Sequence, residues 1–151
     1  MKKWAVLSIV LTLGSLAIAQ MRFDVIPAPA PVHFSSVDIV VDSHNSALAA
    51  YQLEFLADAG RVTLVGIEGG EHAAFKNPPY YDAKALGGGR VILAALNTGK
   101  DLPQGKTRVA RLHLQIRGDG NPEMSAKLVV AASSNDRTIS ADVSVSQGAN
   151  P

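Results

Sequence analysis

Residues 48–70 read LAAYQLEFLADAGRVTLVGIEGG, and their pattern decides the fold class. Tyr51, Leu53 and Phe55 alternate with Gln52 and Glu54. That period of two belongs to a half-buried strand, whose successive side chains point to opposite faces. Ala57-Asp58-Ala59-Gly60 then reverses the chain, with Gly60 supplying backbone freedom. Val62, Leu64, Val65 and Ile67 form a second strand, so the stretch predicts a hairpin. Tyr51, Leu53 and Phe55 lie on the inward period and are assigned to the core rather than to a ligand platform.

The segments outside the hairpin supply what its apolar face needs. Val37, Ile39 and Val41 mark an opening strand, followed by a Ser43-His44-Asn45-Ser46 turn. Arg90 to Leu96 (RVILAAL) is a continuous apolar run, which predicts burial on both faces. Lys106 to Arg117 alternates cleanly. Ala110, Leu112, Leu114 and Ile116 fall on one side, and Val109, Arg111, His113 and Gln115 on the wet side. Lys127 to Ala131 gives a short strand, and Ile139, Ala141, Val143 and Val145 a last one. Between Gly69 and Gly89 runs a long loop in which Pro78-Pro79 forbids a regular helix or central strand. Asp82 to Leu86 has room for one helical turn before three glycines. Short strands with turn signals and no long amphipathic helix predict a single all-β, antiparallel sandwich.

At 151 residues with 47% apolar content, one ordinary domain has enough material for its core. Cysteine is absent, which excludes disulfides, thiolate catalysis and cysteine-ligated metals. Lys2 and Lys3 precede the apolar stretch Trp4 to Leu16, and Ala17-Ile18-Ala19 fits a cleavage rule. The expectation is a signal peptide at 1–19, with no stable membrane span after cleavage and a periplasmic or extracellular destination. Pro27, Pro29 and Pro31 make 20–36 a stiff linker, the sandwich covers 37–146, and 147–151 is a flexible tail. Without Lys2 and Lys3, 12 basic residues face 13 acidic ones, a net charge of −1. No basic patch remains for a nucleic acid.

The order of these pieces resembles a cohesin domain, the receptor module of cellulosome scaffolds, and its relatives in the cellulose-binding superfamily. The matching stretches are VDIVVDS, AAYQLEF with its Asp-containing turn, RVTLVGIEGG, RVILAAL, KTRVARLHLQI and SADVSV. The resemblance implies a jelly-roll sandwich of about nine strands. It also implies that Arg61 to Ile67, Arg90 to Leu96 and Lys106 to Ile116 share one sheet, whose outer face binds a dockerin domain. The chain carries a single such module and no dockerin sequence of its own.

Catalytic motifs are missing. His33, His44, His72 and His113 form no His-x-x-x-His or His-Glu-x-x-His pair, and no serine sits in a Gly-x-Ser-x-Gly elbow. Glu68, Glu71 and Asp82 are the carboxylates that a glycosidase reading would use. Asp119 to Glu123 offers oxygen ligands at alternate positions, yet Gly-Asp-Gly-Asn-Pro is also an ordinary turn, so a calcium ion there is left open. The expectation is no enzyme, no cofactor and no metal site.

Two surfaces are candidates for binding. Arg111, His113 and Gln115 line the wet side of their strand, and under the cohesin resemblance Thr63 and Val65 join them as a partner-binding face. The long loop gathers His72, Phe75, Tyr80 and Tyr81, with tyrosine suited to sugar stacking or protein contact. The rings serve equally to plug one end of the sandwich. The function expected is therefore a non-catalytic binding module. Its partner would be another protein, dockerin-like or from the envelope, or a polysaccharide. A structural envelope protein with homotypic contacts is the alternative, and a glycoside hydrolase a remoter one.

Overall fold

A computed structural model describes residues 28–148. The expected signal segment, residues 20–27 of the expected linker and the tail beyond Gly148 lie outside the described residues. Seven strands form two antiparallel sheets: β1 (Val32–Asp42), β2 (Ala50–Ala57), β3 (Val62–Gly69), β4 (Arg90–Leu96), β5 (Lys106–Arg117), β6 (Met124–Ala132) and β7 (Asp142–Gln147). One sheet has the order β3-β5-β1-β7 and the other β4-β2-β6. About nine strands were expected. Two isolated bridges, Tyr80 to Ala94 and Ala132 to Thr138, stand where further strands would extend the smaller sheet. The fold is a single antiparallel β-sandwich, as expected.

Alternation explains which side of each strand meets the core. Val37, Ile39 and Val41 of β1, Leu53 and Phe55 of β2, and Leu112 and Leu114 of β5 are all buried between the sheets. β1 starts at Val32, five residues before the start expected at Val37, because Val32 to Ser36 pair with Arg117 to His113. Val109 was expected on the wet side but is buried. A bulge between Ile39 and Val40 passes from Ala110 to Arg108 on β5, so Val109 and Ala110 both turn inward.

Two pairings differ from expectation. β2 and β3 do not form a hairpin: β2 pairs with β4 and β6, whereas β3 pairs with β5. The Asp58 turn is closed by Arg61 and Val62 N–H groups donating to Asp58 O, and it carries the chain from one sheet to the other. The apolar sides of both strands then face each other across the core, which satisfies the same alternation that a hairpin would. The strands expected in one sheet are also separated, since β4 joins β2 rather than β3 and β5. The three glycines make that switch. Gly87 N–H and Gly88 O bond to Leu64 on β3, and Gly89 O accepts from Ala57 N–H on β2. RVILAAL is not buried on both faces, because among the described residues no layer covers the outer side of the smaller sheet. Val91 and Leu93 point inward, while Ile92 is 42% and Leu96 67% exposed.

Tyr51 brings a polar handle into the hydrophobic core. Its hydroxyl donates to Val109 O at 3.2 Å, and its ring meets Phe75 edge-on at 5.3 Å. Burial pushes the phenol well above its usual range. A folded-state value raised above the unfolded value of about 10 leaves stability intact below pH 10 and erodes it as pH rises further. The expected slope from this group is about 1.4 kcal/mol per pH unit. Tyr51→Phe is expected to lose about 1 kcal/mol at pH 7 through the missing hydrogen bond. Its stability then falls less steeply above pH 10, as urea unfolding at stepped alkaline pH will read. Parallel curves for the two proteins would sink this assignment.

Candidate functional site

The outer face of the four-stranded sheet brings Thr63, Val65, Arg111, His113 and Gln115 together. Thr63 stands opposite Gln115, Gly66 opposite His113 and Glu68 opposite Arg111. A bulge between Leu64 and Gly66 inserts Val65, which explains two adjacent apolar residues in this strand and leaves Val65 exposed. On the other flank β1 contributes Phe34, Ser36 and Asp38, opposite Gln115, His113 and Arg111 respectively.

The charges on this face satisfy one another. Arg111 donates from Nε and Nη2 to the two Asp38 oxygens at 2.7 and 3.0 Å. Those bonds hold the guanidinium above its ordinary pKa. Arg108 Nε lies 3.9 Å from the same carboxylate, and its Nη1 donates to Gly69 O. His113 Nε2 sits 2.9 Å from Glu68 Oε1. A partner would have to break these pairs before using them. Asp38 and Glu68 were not assigned to this patch from the sequence, although both occupy outward positions of their strands. Phe34, 72% exposed, was missed because its stretch read as linker.

The outer face of the three-stranded sheet has the opposite character. Across β4, β2 and β6 its rows run Leu96–Ala50–Ala132, Ala94–Gln52–Val130, Ile92–Glu54–Lys127 and Arg90–Leu56–Ser125. Tyr80 extends the second row through its bridge to Ala94. Leu56, Ile92, Leu96, Val129 and Val130 are all exposed. The Arg90 guanidinium is paired with Glu54. Small alanines between larger apolar residues make a shallow apolar surface, crossed toward one end by the charged side chains of Arg90, Glu54 and Lys127.

The four loop residues do not converge. Phe75 is buried against Tyr51, and Tyr81 packs on the core, so these rings plug the sandwich. His72 caps a 3-10 turn at 73–75, where its Nδ1 accepts from Ala74 N–H, and its Nε2 lies 3.8 Å from Asp101. Tyr80 alone turns outward, 80% exposed. The helical turn expected near Asp82 is present at 83–85, capped by the Asp82 carboxylate.

The carboxylates of the remoter readings are engaged separately. Glu68 meets His113, Glu71 accepts from Arg108 N–H, and Asp82 accepts from Lys84 N–H. Asp119 uses its backbone oxygen to accept from Arg61 Nη2. Among the described residues no group of three or more His, Cys, Asp or Glu side chains is placed to hold a metal ion. No helix among them is long and apolar enough to cross a membrane.

The architecture and its two unlike faces define a β-sandwich that presents sheet surfaces rather than an enclosed cavity. Among solved structures the chain is similar to the cohesin of a dockerin–cohesin complex crystallised at pH 5.5. The TM-score is 0.56 and the identity 11%, over 74% of this chain and 84% of that one. No family model and no curated protein matches the chain.

Proposed function

We propose that this chain is an exported, non-catalytic protein-binding module that takes a dockerin-type partner on the outer face of the three-stranded sheet. The carrying observation is the apolar patch Leu56, Ile92, Val130 and Leu96, left uncovered among the described residues on a face whose strands are paired by continuous ladders. Apolar side chains release their area to a partner without breaking any existing bond. Arg111 and His113 on the opposite sheet offer less, because each is already matched within the chain. The solved neighbour is itself a cohesin bound to a dockerin, which supports the partner class. Export rests on Lys2, Lys3 and the Ala17-Ile18-Ala19 site.

Calorimetry against a panel of purified dockerin domains tests the reading. At least one is expected to bind, and Ile92→Arg to weaken it tenfold or more by burying an unpaired charge. Arg111→Ala is expected to change affinity less than about threefold. The reverse ranking would move the interface to the four-stranded sheet. No binding by any dockerin at about 100 µM would remove the partner class.

A further inference from the structure

We infer that the depression beside Tyr80, at the end of the three-stranded sheet, binds one ring of a neutral pyranose sugar. The depression has a volume of about 250 Å³ and is lined chiefly by Asn77, Pro78, Pro79, Tyr80, Leu96 and Asn97. It adjoins the protein-binding face and shares Leu96 with it, while its other lining residues lie outside that face, so it stands without that reading.

Three features specify the ligand class. The first is a fixed, exposed ring. Tyr80 is 80% exposed, yet its backbone is held in both directions, N–H to Ala94 O at 2.7 Å and O from Ala94 N–H at 3.0 Å. Pro78 and the buried Pro79 stiffen the approach to it. Little backbone ordering is left to oppose binding, and the ring is available to stack on a flat apolar face. The second feature is the pair of amides. Asn97 Nδ2 donates to Ala74 O at 2.9 Å and its Oδ1 accepts from Gly99 N–H at 2.7 Å, so its orientation is set. Nδ2 keeps a second proton for a ligand, and the exposed Asn77 adds both a donor and an acceptor. A pyranose has this same division, a C–H face bordered by hydroxyls that donate and accept.

The third feature is the absence of charge. No Asp, Glu, Lys, Arg or His side chain lines the depression. A carboxylated or phosphorylated ligand would lose hydration there without gaining a counter-ion. The volume falls below the roughly 300–1,000 Å³ of a typical small-molecule pocket, which limits the site to about one ring and to millimolar affinity.

The test is a titration of the full chain with the methyl glycosides of glucose, galactose, mannose and N-acetylglucosamine, with glucuronate as the charged comparison, read by amide chemical shifts. Saturable shifts are expected at Asn77, Tyr80, Ala94, Leu96 and Asn97 with at least one neutral sugar, and weaker binding of glucuronate. Tyr80→Ala is expected to lower affinity tenfold or more, and Tyr80→Phe, which keeps the ring, to retain it. The exposed position makes both variants foldable, and an unchanged thermal midpoint will show it. The inference is overturned if no neutral sugar shifts these amides, or if Tyr80→Ala binds as the parent does. It is also overturned if a proline-rich peptide occupies the site and no sugar does.

Discussion

Phe55→Ala is expected to destabilise the domain by about 4 kcal/mol, the largest loss available from a single side chain here. Phe55 is fully buried at the middle of β2, opposite Val91 of β4 and Ala126 of β6. Truncation removes the transfer free energy of the ring and leaves a cavity, because sheet backbones on both sides are pinned by their ladders and cannot collapse into it. Against a total stability of about 5–15 kcal/mol, that is a large fraction. The melting temperature should fall by about 15 °C. Phe34→Ala makes the comparison decisive. Phe34 is the same residue type but lies on the open face of the other sheet, so its truncation should stay within about 0.5 kcal/mol. If thermal denaturation shows the two variants losing similar stability, the assignment of β2's inward face to the core fails.

What could be read from the chain follows the distance over which each feature is encoded. The inward sets Val37, Ile39 and Val41, or Leu53 and Phe55, are visible because burial of one face imposes a period of two within a single strand. The pairing of strands is not encoded that way. Ala57 to Gly60 is a competent tight turn, and a hairpin and a sheet-to-sheet crossing both place Phe55 and Leu64 inward. Only the non-local partners of β2, which are β4 and β6, distinguish the two. RVILAAL misled for a related reason. Six apolar residues in a row indicate two buried faces when a second layer exists, and among the described residues none covers Ile92 and Leu96. The bulges at Val65 and Val109 each reverse one side chain, and a bulge leaves no mark in local hydrophobicity.

The candidate surfaces divide along the same line. Arg111, His113 and Gln115 were legible as one wet face, since they share a strand. Their neutralisation by Asp38 and Glu68 depends on cross-strand register, which the alternation of any one strand does not contain. The loop composition revealed an aromatic concentration but not its division. Phe75 and Tyr81 go inward because the sandwich end needs apolar cover, and that demand is set by Tyr51, more than twenty residues earlier in the chain. Tyr80 is left outside because its backbone has joined the edge of β4.

Gly69→Ala is expected to cost about 3 kcal/mol and to disturb the Tyr80 loop selectively. A methyl group on Gly69 would stand 2.0 Å from Lys76 O and 2.6 Å from Asn77 O. Both are backbone atoms, so no rotamer change relieves the overlap. The opposite side is closed as well: Gly70 has Arg108 O against it, and its N–H donates to Phe75 O at 2.7 Å. The loop must therefore lift from the end of β3, which withdraws Phe75 from Tyr51 and loosens the Tyr80 to Ala94 bridge. Gly60→Ala separates crowding from conformation. Gly60 has φ +83° with nothing near its would-be methyl group, so only the left-handed backbone is penalised, by about 1 kcal/mol. Hydrogen exchange on Gly69→Ala should show Tyr80 and Ala94 amides losing protection while Leu112 and Leu114 keep theirs. Equal stability of the Gly69 and Gly60 variants, or uniform loss of protection across the sheets, would show that the close approach at Gly69 does not hold the loop in place.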